Sequence, residues 1–187
     1  MVIDANGIGM GLVDFMVKPQ INPETLEIIP DFGVYGGTQD DAALEYKKYR
    51  TNQTEENALY LIKANAPVNT EAHTITKSAL SSGKVKFLID ERTAKQKLLA
   101  TKIGQNMKPE ERSNYLHPFQ LTSILKEEML NLREENEGVN IILKQVNRGI
   151  KKDKFSAFEY GLYYIKQEEE SKKKKKKFNA KEWQFMN

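Results

Sequence analysis

Two aspartates in this 187-residue chain stand where a carboxylate could act on a ligand. Asp4 closes a short β-branched run, Val2–Ile3, and is followed at once by a turn containing Gly7 and Gly9, with Gly11 just beyond. Asp153 opens the stretch DKFSAFEYGLYYIKQ, directly behind the basic residues of NRGIKK. An acid at a strand end before a glycine turn admits three readings: part of a phosphate-binding loop, a metal ligand, or a turn residue accepting hydrogen bonds from the amides of Asn6 and Gly7. The phosphate-loop readings fail on their own patterns. The dinucleotide fingerprint needs a small residue where Leu12 stands, and no G-K-[S/T] follows to complete a P-loop. Asp153 is open to two readings, a helix N-cap or a ligand presented beside Lys151 and Lys152.

Two carboxylates converging from a strand end and a helix start could share Mg²⁺ or Mn²⁺. These hard ions take oxygen ligands and complete their shells with water and substrate phosphate. A pair of them about 4 Å apart is suited to in-line phosphodiester cleavage, one activating water and the other stabilising the leaving oxygen. Lys151, Lys152 and Lys154 are then candidates for steering phosphates, the alternative being solvated charges with no specific role. Asp90 and Glu91, at the end of KVKFLID, are further acids within the same pattern. His73 and His117 have no ligand spacing around them. With no cysteine, thiolate nucleophiles, zinc–thiolate sites and disulfides are excluded.

The elements that must position these residues follow from periodicity and breakers. Strands are expected at 2–4, 57–65, 84–90 and 139–146. Helices are expected in GMGLVDFMVK with Leu12, Phe15 and Met16 on one face, over 69–82 with Asn69 or Thr70 as cap, and over 93–103. A strongly amphipathic helix is expected over 119–135, carrying Leu121, Ile124, Leu125, Met129 and Leu132. Another begins at Asp153 with Phe155, Phe158, Leu162 and Ile165 on one stripe. Residues 23–37, broken by proline and glycine, read as a loop or small hairpin, and 104–118 as a polar mobile loop. Strands interleaved with helices make this an α/β chain.

Apolar residues make up 39% of the chain and charged residues 29%, with a formal charge of +3. That suits one compact region over 1–167, followed by a basic tail over 168–187. The six lysines from Lys172 to Lys177 predict a solvated, disordered segment able to attract polyanions. No apolar run approaches the roughly 20 residues that span a bilayer, and the expectation is an intracellular chain with no membrane partner.

VIDANGIGMGLVDFMV, followed far downstream by NRGIKKDKFSAFEYGLYYI, resembles the C-terminal nuclease domain of tailed-bacteriophage terminase large subunits; GKVKFLIDE and the helix from Phe119 fit the same pattern. The resemblance covers about residues 1–167. It implies a ribonuclease H-like mixed sheet flanked by helices, and Mg²⁺- or Mn²⁺-dependent cutting of concatemeric double-stranded DNA during genome packaging. Of the family's three metal-binding acids, the second corresponds to Asp4 and the third to Asp153. An auxiliary ligand that some relatives carry just before the third acid has no counterpart, since Ile150, Lys151 and Lys152 stand there. The first acid and the ATPase part would lie ahead of Val2, so the resemblance implies an N-terminally truncated portion, weak or inactive alone. It further implies work in the host cytoplasm at the procapsid, with the portal protein and the terminase small subunit. The alternative is a non-catalytic module that binds DNA or the portal.

Overall fold

The computed structural model describes residues 1–6, 8–29, 31–38 and 57–182. In chain order these form β1 (Val2–Asp4), α1 (Ile8–Met16), β2 (Gln20–Ile21), β3 (Ile28–Ile29), β4 (Gly33–Gly37) and β5 (Asn57–Ile62). After them come α2 (Ala66–Ser81), α3 (Glu91–Leu99), α4 (Lys102–Asn106), α5 (Pro109–Leu130), β6 (Leu132–Glu137), β7 (Asn140–Gln145) and α6 (Asp153–Glu182). The chain divides into two compact units, residues 1–73 with 160–187, and residues 74–159. No helix among the described residues is long and apolar enough to cross a membrane.

The first unit is built on a three-stranded sheet in the order β1-β5-β4, with a helix on its core face. Both pairings are parallel, Ile3 lying opposite Leu61 and Val34 opposite Leu59. The class is therefore α/β, as expected, and the described strands of this sheet pair in parallel. β5 occupies the centre, and Leu59, Leu61 and Ile62 are all buried, so both of its faces are covered, as in the middle of a parallel sheet. Ile3, Ala5, Val34, Leu59 and Leu61 form one core with Val13 and Val17 of the α1 segment.

The helical face expected for α1 is rotated. Val13 and Val17 point inward, while Leu12 and Phe15 remain 49% and 60% exposed. The phase is set by Gly9: a Cβ there would lie 1.6 Å from the carbonyl oxygen of Asp4. Only glycine lets the first turn of α1 rest on the end of β1, and that contact decides which side meets the sheet. β4 hides in a glycine-rich stretch read as irregular. Its pairing needs the small residue, because a Cβ on Gly37 would lie 2.6 Å from the Leu61 carbonyl oxygen. A small hairpin does form, β2–β3 with Gln20 opposite Ile29, but its first strand lies ahead of the stretch where a loop or hairpin was expected.

The second unit contains a small core of Ala94, Leu98 and Leu116, with Met107 and Phe119 packed on it. Residues 84–90 are not a strand. They carry no ladder, and Leu88 instead gives its carbonyl to the Lys126 ammonium at 2.9 Å. The loop expected over 104–118 is mostly helical. α4 is capped by the Thr101 hydroxyl, and α5 starts at Pro109, a residue that suits a first turn because it needs no amide partner there. Pro118 lies inside α5 rather than ending anything.

α5 stops at Leu130, and residues 132–135, expected as its last turn, instead belong to β6. β7 is the strand expected near 139–146, but it joins β6 in a separate antiparallel hairpin, Glu135 opposite Ile142. A hairpin partner that starts at Asn140, just past the turn at Gly138, competes locally with continued helix. α2 begins at Ala66, its Val68 amide donating to the Asn65 side chain at 2.9 Å, so Asn65 takes the cap expected of Asn69 or Thr70. α6 is helical through Glu182, across the stretch expected to be a disordered tail.

Candidate functional site

Asp4 ends β1 at the carboxyl edge of the parallel sheet, the edge outside which open α/β sheets bind their ligands. It is exposed. The turn after it is fixed by short bonds: Ala5 N–H to the Ile62 carbonyl at 2.7 Å, and the Asn6 side-chain amide to the Ala64 carbonyl at 3.0 Å. Together with the Gly9 contact, these leave the Asp4 backbone little freedom. One carboxylate oxygen accepts the Asn6 N–H at 3.1 Å. The turn-cap role is thus real, and among the described residues it occupies only Oδ1.

Asp153 is the first residue of α6 and is exposed, as are Arg148, Lys151 and Lys152 in the preceding loop. Its carboxylate makes no hydrogen bond or ion pair with any described residue. The N-cap position belongs to Lys152, whose carbonyl accepts the Ser156 N–H at 2.9 Å. The capping bond itself comes from α5. Glu128, 3% exposed, places Oε2 2.8 Å from the Phe155 N–H, the third amide of the helix. Its Oε1 lies 4.0 Å from the Lys154 ammonium, so Lys154 faces a buried carboxylate.

One turn further along, Asn131 holds the loop that leads to Asp153. Its Oδ1 accepts the Asn147 N–H at 2.8 Å, and its Nδ2 donates to the carbonyls of Asn147 and Ile150 at 2.9 and 3.4 Å. The Gln145 side chain donates to the same Ile150 carbonyl, and Asn147 Oδ1 accepts the Gly149 N–H at 2.9 Å. The backbone of the basic loop is therefore consumed internally while its charges face solvent. Ile150 also lines a cleft of about 470 Å³ with Asp90, Lys126, Glu127 and Leu130. Asp90 caps α3, accepting from the Thr93 amide and hydroxyl at 2.9 and 2.7 Å, and these bonds hold its carboxyl below the usual range.

Asp4 lies in the first unit and Asp153, Lys151, Lys152 and Lys154 in the second. Among the described residues no three His, Asp or Glu side chains cluster as a metal site. The donors that are present, exposed carboxylates with at least one oxygen uncommitted, are the hard type that Mg²⁺ and Mn²⁺ accept. Mg²⁺ is commonly held by one or two carboxylates with water and phosphate completing the shell. The residues fit such an ion in chemical type.

Sequence reasoning missed Glu128 and Asn131. A signal for the first exists: Glu128 falls seven residues after Leu121 and four after Ile124, on the apolar stripe of α5, where a charge is out of place. A polar residue on a buried face must have a buried partner. No family model, no curated protein and no solved structure matches this chain.

Proposed function

We propose that this chain is the nuclease portion of a phage DNA-packaging terminase large subunit, with a ribonuclease H-like sheet, acting on double-stranded concatemeric DNA. In this reading Asp4 and Asp153 hold Mg²⁺ or Mn²⁺, which when bound supplies an activated water and neutralises charge on the leaving oxygen. Lys151 and Lys152 draw the phosphate backbone toward them by charge, without reading base sequence. The first acid and the ATPase part belong to the complete terminase, which would assemble with the portal protein and the small subunit.

The observation that carries the reading is the condition of Asp153. It stands at a helix start behind a stapled basic loop, and the capping duty that would explain it blandly is performed by Glu128. A carboxylate left uncommitted among exposed lysines suits a cation bridged to phosphate. A second reading, a non-catalytic module that binds DNA or the portal, is favoured at Asp4, whose Oδ1 already serves the turn.

Thermal unfolding across a Mn²⁺ titration separates the two, since a ligand that binds only the folded state raises the transition temperature. The nuclease reading expects a Mn²⁺-dependent rise in the parent that is reduced in Asp4→Asn and in Asp153→Asn. An unchanged transition in the parent up to millimolar Mn²⁺ would instead support the module.

A further inference from the structure

The last turn of α5 carries two buried polar side chains, Glu128 and Asn131, three residues apart and 3% and 7% exposed. Burying them makes sense only with partners, and both find theirs in one downstream segment. Asn131 takes up the backbone of Asn147 and Ile150, and Glu128 takes the Phe155 amide. The segment between these anchors contains Arg148, Lys151, Lys152 and Asp153, all exposed. All of these groups belong to the second unit.

We propose that Glu128 is the positioning residue for Asp153. A helix start leaves its first amides without intrahelical partners, and a nearby side-chain oxygen commonly satisfies one of them. Glu128 removes that demand from across the fold. The third amide is already bonded, so the Asp153 carboxylate is not drawn onto its own helix and stays directed at solvent beside Lys151 and Lys152. Oε1 of the same carboxylate lies 4.0 Å from the Lys154 ammonium, which is half-buried, whereas Lys151 and Lys152 are exposed. The role is indirect: Glu128 is buried and reaches a ligand only through the backbone it holds. Outer partners of this kind tune a metal site by about 10- to 100-fold in affinity.

The proposal rests on Asp153 being a metal ligand, and the experiment separates the two claims. Mn²⁺ affinity is measured on the full chain by the spin-resonance signal of free Mn²⁺, with amide exchange at Phe155 followed in the same samples. Glu128→Leu keeps the volume and removes the acceptor; Glu128→Gln keeps a carbonyl oxygen at the same reach; Glu128→Asp keeps the charge but withdraws it by one methylene. The expected pattern is a loss of about tenfold in Mn²⁺ affinity for the Leu and Asp variants, with faster Phe155 exchange, while Gln stays near the parent in both. If Glu128→Leu does not fold, the Asp and Gln pair decides by the same contrast. Parent-like affinity in both Leu and Asp variants, with Asp153→Asn weakened, overturns the positioning role alone. Parent-like affinity in Asp153→Asn overturns the metal reading and the positioning role with it.

Discussion

Gly9 and Gly11 look alike in the sequence and have opposite roles. A methyl group on Gly9 would meet the Asp4 carbonyl oxygen at 1.6 Å, whereas nothing lies within 4 Å of one placed on Gly11. Gly9→Ala is expected to destabilise the first unit by about 1–3 kcal/mol, the ordinary range for forced overpacking. Gly11→Ala, in an exposed helical position, is expected to stabilise it by up to about 1 kcal/mol. Urea unfolding of the two variants checks both signs. Asp90 supplies a pH signature at the same scale. The Thr93 amide and hydroxyl lower its carboxyl below 3.8 in the folded state. Its contribution is therefore complete above the unfolded value and is lost as pH falls below about 3.8. Relative to the parent, Asp90→Asn should show a stability deficit at neutral pH that shrinks as the solution is acidified through that window.

At the scale of elements, the basic loop is held by α5 more than by its own sequence. Asn131→Ala removes an acceptor and a donor that serve Asn147 and Ile150. These bonds are part-buried, and a typical intramolecular hydrogen bond contributes about 0.5–1.5 kcal/mol. A fall of that size in unfolding free energy is expected, accompanied by faster amide exchange at Asn147. If stability falls while the Asn147 amide stays as protected as in the parent, the loop is held by something else. The element boundaries explain why this was hard to foresee. Periodicity finds a helix over 119–130, but Leu121 of the expected stripe is exposed and Leu132 falls in β6; the start depends on Pro109 and the stop on a hairpin that begins at Leu132. Neither leaves a mark in a periodicity of 3.6.

At the scale of the whole molecule, the proposed DNA contact is electrostatic and should behave so. Binding of a short duplex is expected to weaken steeply with salt, and each of Lys151→Ala and Lys152→Ala to reduce the logarithmic salt slope by about one. Lys154→Ala should change the slope least, because its ammonium faces Glu128. As a nuclease the isolated chain is expected to be weak. Robust EDTA-sensitive cleavage of duplex DNA that Asp153→Ala abolishes would show that no acid from another segment is needed.

The sequence by itself determined the α/β alternation, the Asp4 turn, the buried strand at β5 and the helix that Asp153 opens. Each is written in short-range chemistry: β-branched runs, glycines, and apolar residues at fixed spacing. The parallel pairing of the sheet and the inward face of α1 needed the tertiary structure, because they depend on which distant backbone is available to pair; the β6–β7 hairpin is local, but its first strand lies under a helical spacing of apolar residues. So did the state of Asp153. In sequence an aspartate before an apolar helix is as good a cap as a ligand, and only the fold, by bringing Glu128 to the Phe155 amide, shows that the cap is supplied from elsewhere.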